Sequence, residues 1–142
     1  MLELKHFSAK IWAKTKKKAI EKIRDVAAEL LDLYAKRASK PGQSFKLPEK
    51  EYAEFAASFP FEITPDQEKA TQAILADMQA SKVMDRLVCG DVGFGKTEVA
   101  MRAAFLAASN QKQVAVLVPT TLLAQQHFQT FSDRFAEMPF RI

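Results

Sequence analysis

The sequence predicts an α/β chain: a partial parallel sheet flanked by helices and preceded by one long N-terminal helix. Three observations lead there. From about Ser8 to Ala38 there is neither Pro nor Gly, and apolar residues recur in steps of three, four and seven, the stripe of an amphipathic helix. Between residues 65 and 135, helix-like runs alternate with short apolar runs, an order that implies parallel strands joined by right-handed crossovers. Three of the four glycines, Gly90, Gly93 and Gly95, fall within six positions, where an apolar run meets a helix.

In the first element the stripe is Trp12, Ala19, Ile23, Val26, Leu30 and Tyr34, with Ile20, Ala27 and Leu31 beside it. Ser8 is placed to cap its start, and Lys40-Pro41-Gly42 to stop it. A helix of about 30 residues is about 45 Å long. That is more than a small core covers, so this element is expected to be a connector packed on something along much of its length. Residues 40–47 read as a loop and 48–58 as a short helix with Pro48 in its first turn, broken by Phe59-Pro60-Phe61. A third helix opens at Thr64-Pro65-Asp66-Gln67 and runs to about Ala80, with Thr64 at the N-cap, Pro65 at N1 and Gln67 at N3. Residues 86–89 are expected to be a buried strand ending at Gly90, residues 96–109 a helix, and residues 114–118 a second strand. Pro119-Thr120-Thr121 then starts a helix over 122–135, and Phe140-Arg141-Ile142 resembles the opening of a third strand. Two strands make a poor free-standing core, so the chain reads as a fragment of a larger protein. Its exposed sheet edge is expected to favour self-association.

Composition narrows the class. With 48% apolar and 27% charged residues, the chain matches a folded globular protein rather than a disordered or collagenous one. No window approaches the roughly 18 apolar residues of a spanning helix, and the basic N-terminus lacks the apolar core and cleavage site of a signal peptide. The single cysteine, Cys89, fits a reducing compartment. A cytoplasmic location is the expectation. The net charge of +4 conceals a split, +7 over residues 1–50 and −3 over residues 51–142, as for two units with different jobs. The boundary is placed at 1–47 for a basic helical linker and 48–142 for the α/β part.

The residues from Gly90 to Thr97, Gly90-Asp91-Val92-Gly93-Phe94-Gly95-Lys96-Thr97, fit the phosphate-loop pattern G-x-x-x-x-G-K-[ST] at every fixed position. Glycines at 93 and 95 allow successive backbone N–H groups to turn toward an anion. The following helix offers its N-terminus and positive dipole end to the same anion. Lys96 is the residue expected to reach the terminal phosphates, and the Thr97 hydroxyl to complete the shell of Mg²⁺ carried by ATP or ADP. These two are the catalytic candidates.

Other residues fit two roles each. Gln67 can satisfy the N-cap amide of its own helix or read the donor and acceptor edge of adenine, with Phe59 or Phe61 stacking on the ring. Phe59 and Phe61 can equally be core residues. Thr120 and Thr121 can cap the next helix or place hydroxyls on a nucleic-acid phosphate. Glu98 suits the positive end of its helix, and His127 suits solvent or a partner. Lys14, Lys16, Lys17 and Lys18 read first as a solvated helix face and second as a nucleic-acid patch.

The segment from Phe59 to Gln67 resembles the adenine-sensing Q-motif region of superfamily 2 helicases and translocases. Residues 84–100 are similar to their motif I, and residues 114–127, with Pro119-Thr120-Thr121-Leu122-Leu123, to their motif Ia. Within that superfamily, Phe94, Thr97-Glu98 and Pro119–Leu123 resemble the bacterial transcription-repair coupling translocases more than the branch-migrating RecG-type helicases. Residues 9–38 are similar to the helical linker before the motor of those translocases. The resemblance implies that residues 48–142 are the start of the first RecA-like ATP-binding domain of an ATP-driven double-stranded DNA translocase. Such a motor displaces stalled RNA polymerase at lesions and recruits excision-repair proteins, through parts outside this chain. It moves Gln67 toward an adenine contact and Thr120 and Thr121 toward DNA-backbone contacts. No Asp-Glu pair follows motif Ia, and no second motor lobe with its arginine finger is present, so the chain itself is expected not to turn over ATP. The alternatives are a RecG-like helicase fragment, a non-enzymatic helical interaction module with a structural phosphate loop, and a kinase or GTPase. The last is disfavoured by the motif Ia-like segment and by the lack of a guanine-reading Asn-Lys-x-Asp.

Overall fold

The structure, a computed structural model, describes residues 2–142, with side chains from residue 11 onward. It contains five helices among these residues: α1 (Leu2–Ala38), α2 (Glu49–Ala57), α3 (Pro65–Gln79), α4 (Lys96–Ser109) and α5 (Thr121–Arg134). The chain divides into two compact units, Met1–Pro41 and Gly42–Ile142.

The first unit is α1. It runs through Ser8 rather than starting there, so Ser8 is not its cap, and the Ser8 side chain lies outside the described residues. The apolar stripe is exposed, with Trp12, Ile23 and Leu31 each about two-thirds accessible. Lys14, Lys16, Lys17 and Lys18 are exposed as a solvated face would be. An (i, i+4) pair, Lys36 Nζ to Asp32 Oδ2 at 2.6 Å, lies in water near the last turn and adds little to stability.

In the second unit α4 is the central element. Its sequence, Val99 to Ala108, is apolar on nearly all sides apart from Arg102, which suits a helix packed against neighbours on more than one face, with Ala100 left exposed. One face packs against α3 through Ile74, Leu75, Met78, Val99 and Leu106. The other packs against α2 and α5 through Phe55, Met101, Ala104, Phe105, Phe131 and Phe135. Phe55 stacks on Phe105 at 4.6 Å and on Phe135 at 5.1 Å, both at 15°, and Phe140 closes the cluster edge-on against Phe105 and Phe135. The loop before α2 is laid along the ends of α3 and α4. Asn110 bonds both the N–H and the carbonyl of Lys46, each at 2.9 Å, and Phe45 N donates to Met78 O at 3.0 Å. Gly42 is required there, because a Cβ would collide with the Lys82 backbone.

The sheet is not formed, and the expectation of an α/β architecture with a parallel sheet is corrected. Among the described residues, 86–89, 114–118 and 140–142 form no strand. The reason lies in where the hydrogen bonds close. A helix satisfies its backbone within itself, whereas a strand needs a neighbour, and a parallel sheet also needs cover on both faces. Here Leu87 and Leu117 stand almost fully exposed, and Val114 and Val116 about half so. The sheet edge on which self-association was expected to rest is likewise not formed among the described residues.

Candidate nucleotide site

The site is built where the chain turns into α4. Gly93 and Gly95 have φ of +86° and +68°, a region that side chains with a Cβ rarely adopt. Gly95 is the N-cap of α4, so the loop folds over the N–H groups of the first turn, which have no intrahelical acceptors. Lys96 Nζ donates to Gly90 O at 2.6 Å and Asp91 O at 2.5 Å, and the Phe94 N–H reaches Asp91 O at 3.4 Å. Lys96 is therefore folded back across its own loop with its ammonium over the cradle. Thr97 is half-buried in the first turn, while Val92 and Phe94 project outward. A Cβ on Gly90 would touch only the Lys96 stem at 3.5 Å, and one on Gly93 would meet nothing within 4 Å.

Gln67 serves more than one end. Its Oε1 accepts from Thr64 N at 2.9 Å while Thr64 Oγ1 accepts from Gln67 N at 3.2 Å, a complete capping box. Its Nε2 donates to Phe94 O at 2.8 Å, a tie between α3 and the phosphate loop that sequence spacing did not reveal. Phe61 is 73% exposed and Phe59 half-buried. Their rings pair edge-on at 5.5 Å, and neither belongs to the two core clusters. Thr120 caps α5, its Oγ1 accepting from Leu123 N at 3.3 Å, and Thr121 is exposed in the first turn. His127 lies half-buried, edge-on to Phe131 at 6.4 Å.

Glu98 departs from its expected role. It is 3% exposed and carries a buried ion network rather than merely facing the helix dipole. Arg102 Nε reaches Glu98 Oε1 at 2.9 Å, and Arg134 grips both carboxylate oxygens, Nη2 to Oε1 at 3.0 Å and Nε to Oε2 at 3.1 Å. Burial by itself lowers the Arg102 pKa, but hydrogen bonds and charge from Glu98 and Tyr52 outweigh it and hold it above the usual value. Tyr52 is pushed above the usual phenol value by burial, with the Arg102 hydrogen bond opposing. One signal pointed this way: after the opening Lys96 and Thr97, the lone acid of the helix, Glu98, has a base four residues on, Arg102, in an otherwise apolar run.

The residues suit a nucleotide phosphate group with its magnesium ion. A cationic side chain, a helix N-terminus, left-handed glycines and a hydroxyl converge on one loop. Among the described residues no cluster of three or more His, Cys, Asp and Glu side chains is placed to hold a metal ion. No helix among the described residues is long and apolar enough to cross a membrane.

Comparison with known proteins gives the family. The DEAD/DEAH box helicase family matches residues 64–142, from the α3 cap through the phosphate loop to the end. The chain belongs to that family. It is also 66% identical over 131 residues to the transcription-repair-coupling factors of Haemophilus influenzae and Escherichia coli, covering 92% of this chain and 11% of each of those proteins. The coupling factor of Borreliella burgdorferi is 51% identical over 143 residues, 99% of this chain and 12% of that one. A solved structure of RecG bound to a three-way DNA junction matches with a TM-score of 0.70 and 38% identity, over 78% of this chain and 15% of that one. The chain thus spans about a tenth of the length of the coupling factors it matches.

Proposed function

We propose that this chain is the linker and opening part of the first ATP-binding lobe of a double-stranded DNA translocase that couples transcription to repair. The carrying observation is the loop from Gly90 to Thr97, with left-handed Gly95 capping α4 and Lys96 folded over its carbonyls. In this reading residues 1–47 are the helical linker and 48–142 the start of the motor lobe. Gly90, Asp91, Val92, Gly93, Phe94 and Gly95 surround the phosphates of ATP or ADP. Lys96 neutralises the terminal phosphates and Thr97 contributes a hydroxyl to Mg²⁺. Gln67 contacts adenine, with Phe59 or Phe61 against the ring. The exposed first turn of α5, with Thr120 and Thr121, meets a DNA phosphate.

Displacement of stalled RNA polymerase and recruitment of excision-repair proteins belong to the whole protein, in the cytoplasm. A carboxylate to activate water and an arginine finger are supplied from elsewhere in such motors, and an arginine finger is worth about 10³–10⁵ in rate. The 142-residue chain is expected to bind nucleotide without useful turnover. A RecG-like helicase is the second reading, favoured by the structural likeness of 0.70, but 66% against 38% identity supports the first.

Calorimetric titration of Mg·ADP into the chain and into Lys96→Ala tests the nucleotide site. The variant removes a charge-assisted contact, so affinity falls roughly 10–100-fold. Equal binding by the two proteins refutes the phosphate-loop assignment.

A further inference from the structure

The proposed nucleotide site has two halves on different elements: the phosphate loop opening α4, and the Phe59–Phe61 pair that follows α2. One side chain outside both touches the supports of each. Arg134, the last residue of α5, is 10% exposed at its side chain. Its fork holds both oxygens of Glu98, which adjoins Thr97 in the first turn of α4. On its other edge Nη1 donates to Ser58 Oγ at 2.6 Å, and Nη2 also reaches Phe55 O at 2.8 Å. The guanidinium carbon lies 4.0 Å from the Phe55 ring centroid and 5.8 Å from that of Phe59. The last turn of α2, the first turn of α4 and the end of α5 are thus fastened by one planar group. Five donors in a fixed fork and a flat face for stacking are properties of arginine that lysine lacks.

We propose that Arg134 is a positioning residue of the phosphate loop, anchoring the Lys96–Glu98 turn to the Phe55–Phe59 segment so that the phosphate-binding and aromatic halves keep one spacing. This rests on the nucleotide reading. Helix ends fray first, and the left-handed glycines that shape the loop make few contacts to hold it; a turn that must present Lys96 and Thr97 together gains definition from a buried carboxylate tied at both oxygens. Arg102 holds only Oε1, so loss of Arg134 frees Oε2 and leaves the Glu98 carboxylate with a single side-chain partner.

The test uses the 142-residue chain with two variants. Arg134→Lys keeps the charge and removes the fork; Glu98→Gln keeps the shape and removes the charge. Amide exchange is followed at residues 98–100, the first amides of α4 with hydrogen bonds to lose, and at 103–108, and Mg·ADP affinity is measured beside it. In variants with wild-type circular dichroism, exchange at 98–100 quickens about tenfold while 103–108 holds its rate, and affinity falls about tenfold. A purely structural ion pair would quicken both segments alike. Uniform acceleration along α4, wild-type rates at 98–100, or wild-type affinity in a folded variant each overturn the proposal. A wild-type chain that binds no Mg·ADP overturns the nucleotide reading instead, and the exchange pattern still decides whether Arg134 holds the loop.

Discussion

Gly95 is the position where loop geometry makes the most specific demand, and Gly95→Ala has a cost that can be assembled from its parts. At φ +68° a Cβ brings about 1–2 kcal/mol of left-handed strain. The same Cβ would collide with Gln67 Nε2, the free end of a flexible side chain, so Gln67 swings away. With it go the bonds to Phe94 O and from Thr64 N, each worth about 0.5–1.5 kcal/mol net. The total is about 2–5 kcal/mol. Gly93→Ala bears the strain alone, since nothing lies within 4 Å of its Cβ, and Gly90→Ala, in ordinary contact with Lys96, changes little.

Thermal unfolding by circular dichroism reads the series, at roughly 4–8 °C in Tm per kcal/mol for a unit of this size. The deciding variant is Gly95→Ala combined with Gln67→Ala. With Gln67 already truncated, the new Cβ meets no amide, and Gly95→Ala costs only its strain, about 1–2 kcal/mol. The cycle is therefore non-additive by about 1–3 kcal/mol. Additive losses, or a Gly95→Ala variant no weaker than Gly93→Ala, would refute the tie between α3 and the loop.

Two further outcomes are expected. Thr71 is 2% exposed and its hydroxyl has no hydrogen-bond partner, so Thr71→Val stabilises the chain by about 1 kcal/mol; a lowered denaturation midpoint would show that the hydroxyl is satisfied after all. Burial raises the Tyr52 pKa, so the fold favours the neutral phenol, and that contribution is complete below the unfolded value of about 10 and lost as pH rises past it. Wild-type Tm should therefore fall relative to Tyr52→Phe between pH 9 and 11, about the range bracketing that value, and parallel curves would count against the burial effect.

What was legible in the sequence follows from how far apart the interacting groups lie. The helices and their caps close within a few residues: Thr64 and Gln67 box the start of α3, Thr120 caps α5, and left-handed Gly95 opens α4 just where G-x-x-x-x-G-K-T placed it. Boundaries at α2, α3, α4 and α5 fall within two residues of expectation, because each helix satisfies its own backbone. Residues 86–89 and 114–118 carry strand-like composition, but composition cannot supply a neighbouring strand, and no sheet forms among the described residues.

The tertiary structure decided what pairs across distance. Glu98 looked like a dipole complement until folding brought Arg134, 36 residues away, onto its carboxylate. Gln67 looked like a cap or a base reader, and packing of α3 on α4 gave it the Phe94 carbonyl as well. Local chemistry thus determined the phosphate loop and the helices; the packing of α2, α3 and α5 around α4 determined what holds that loop in place, since a buried charge must find its partner wherever the fold delivers one.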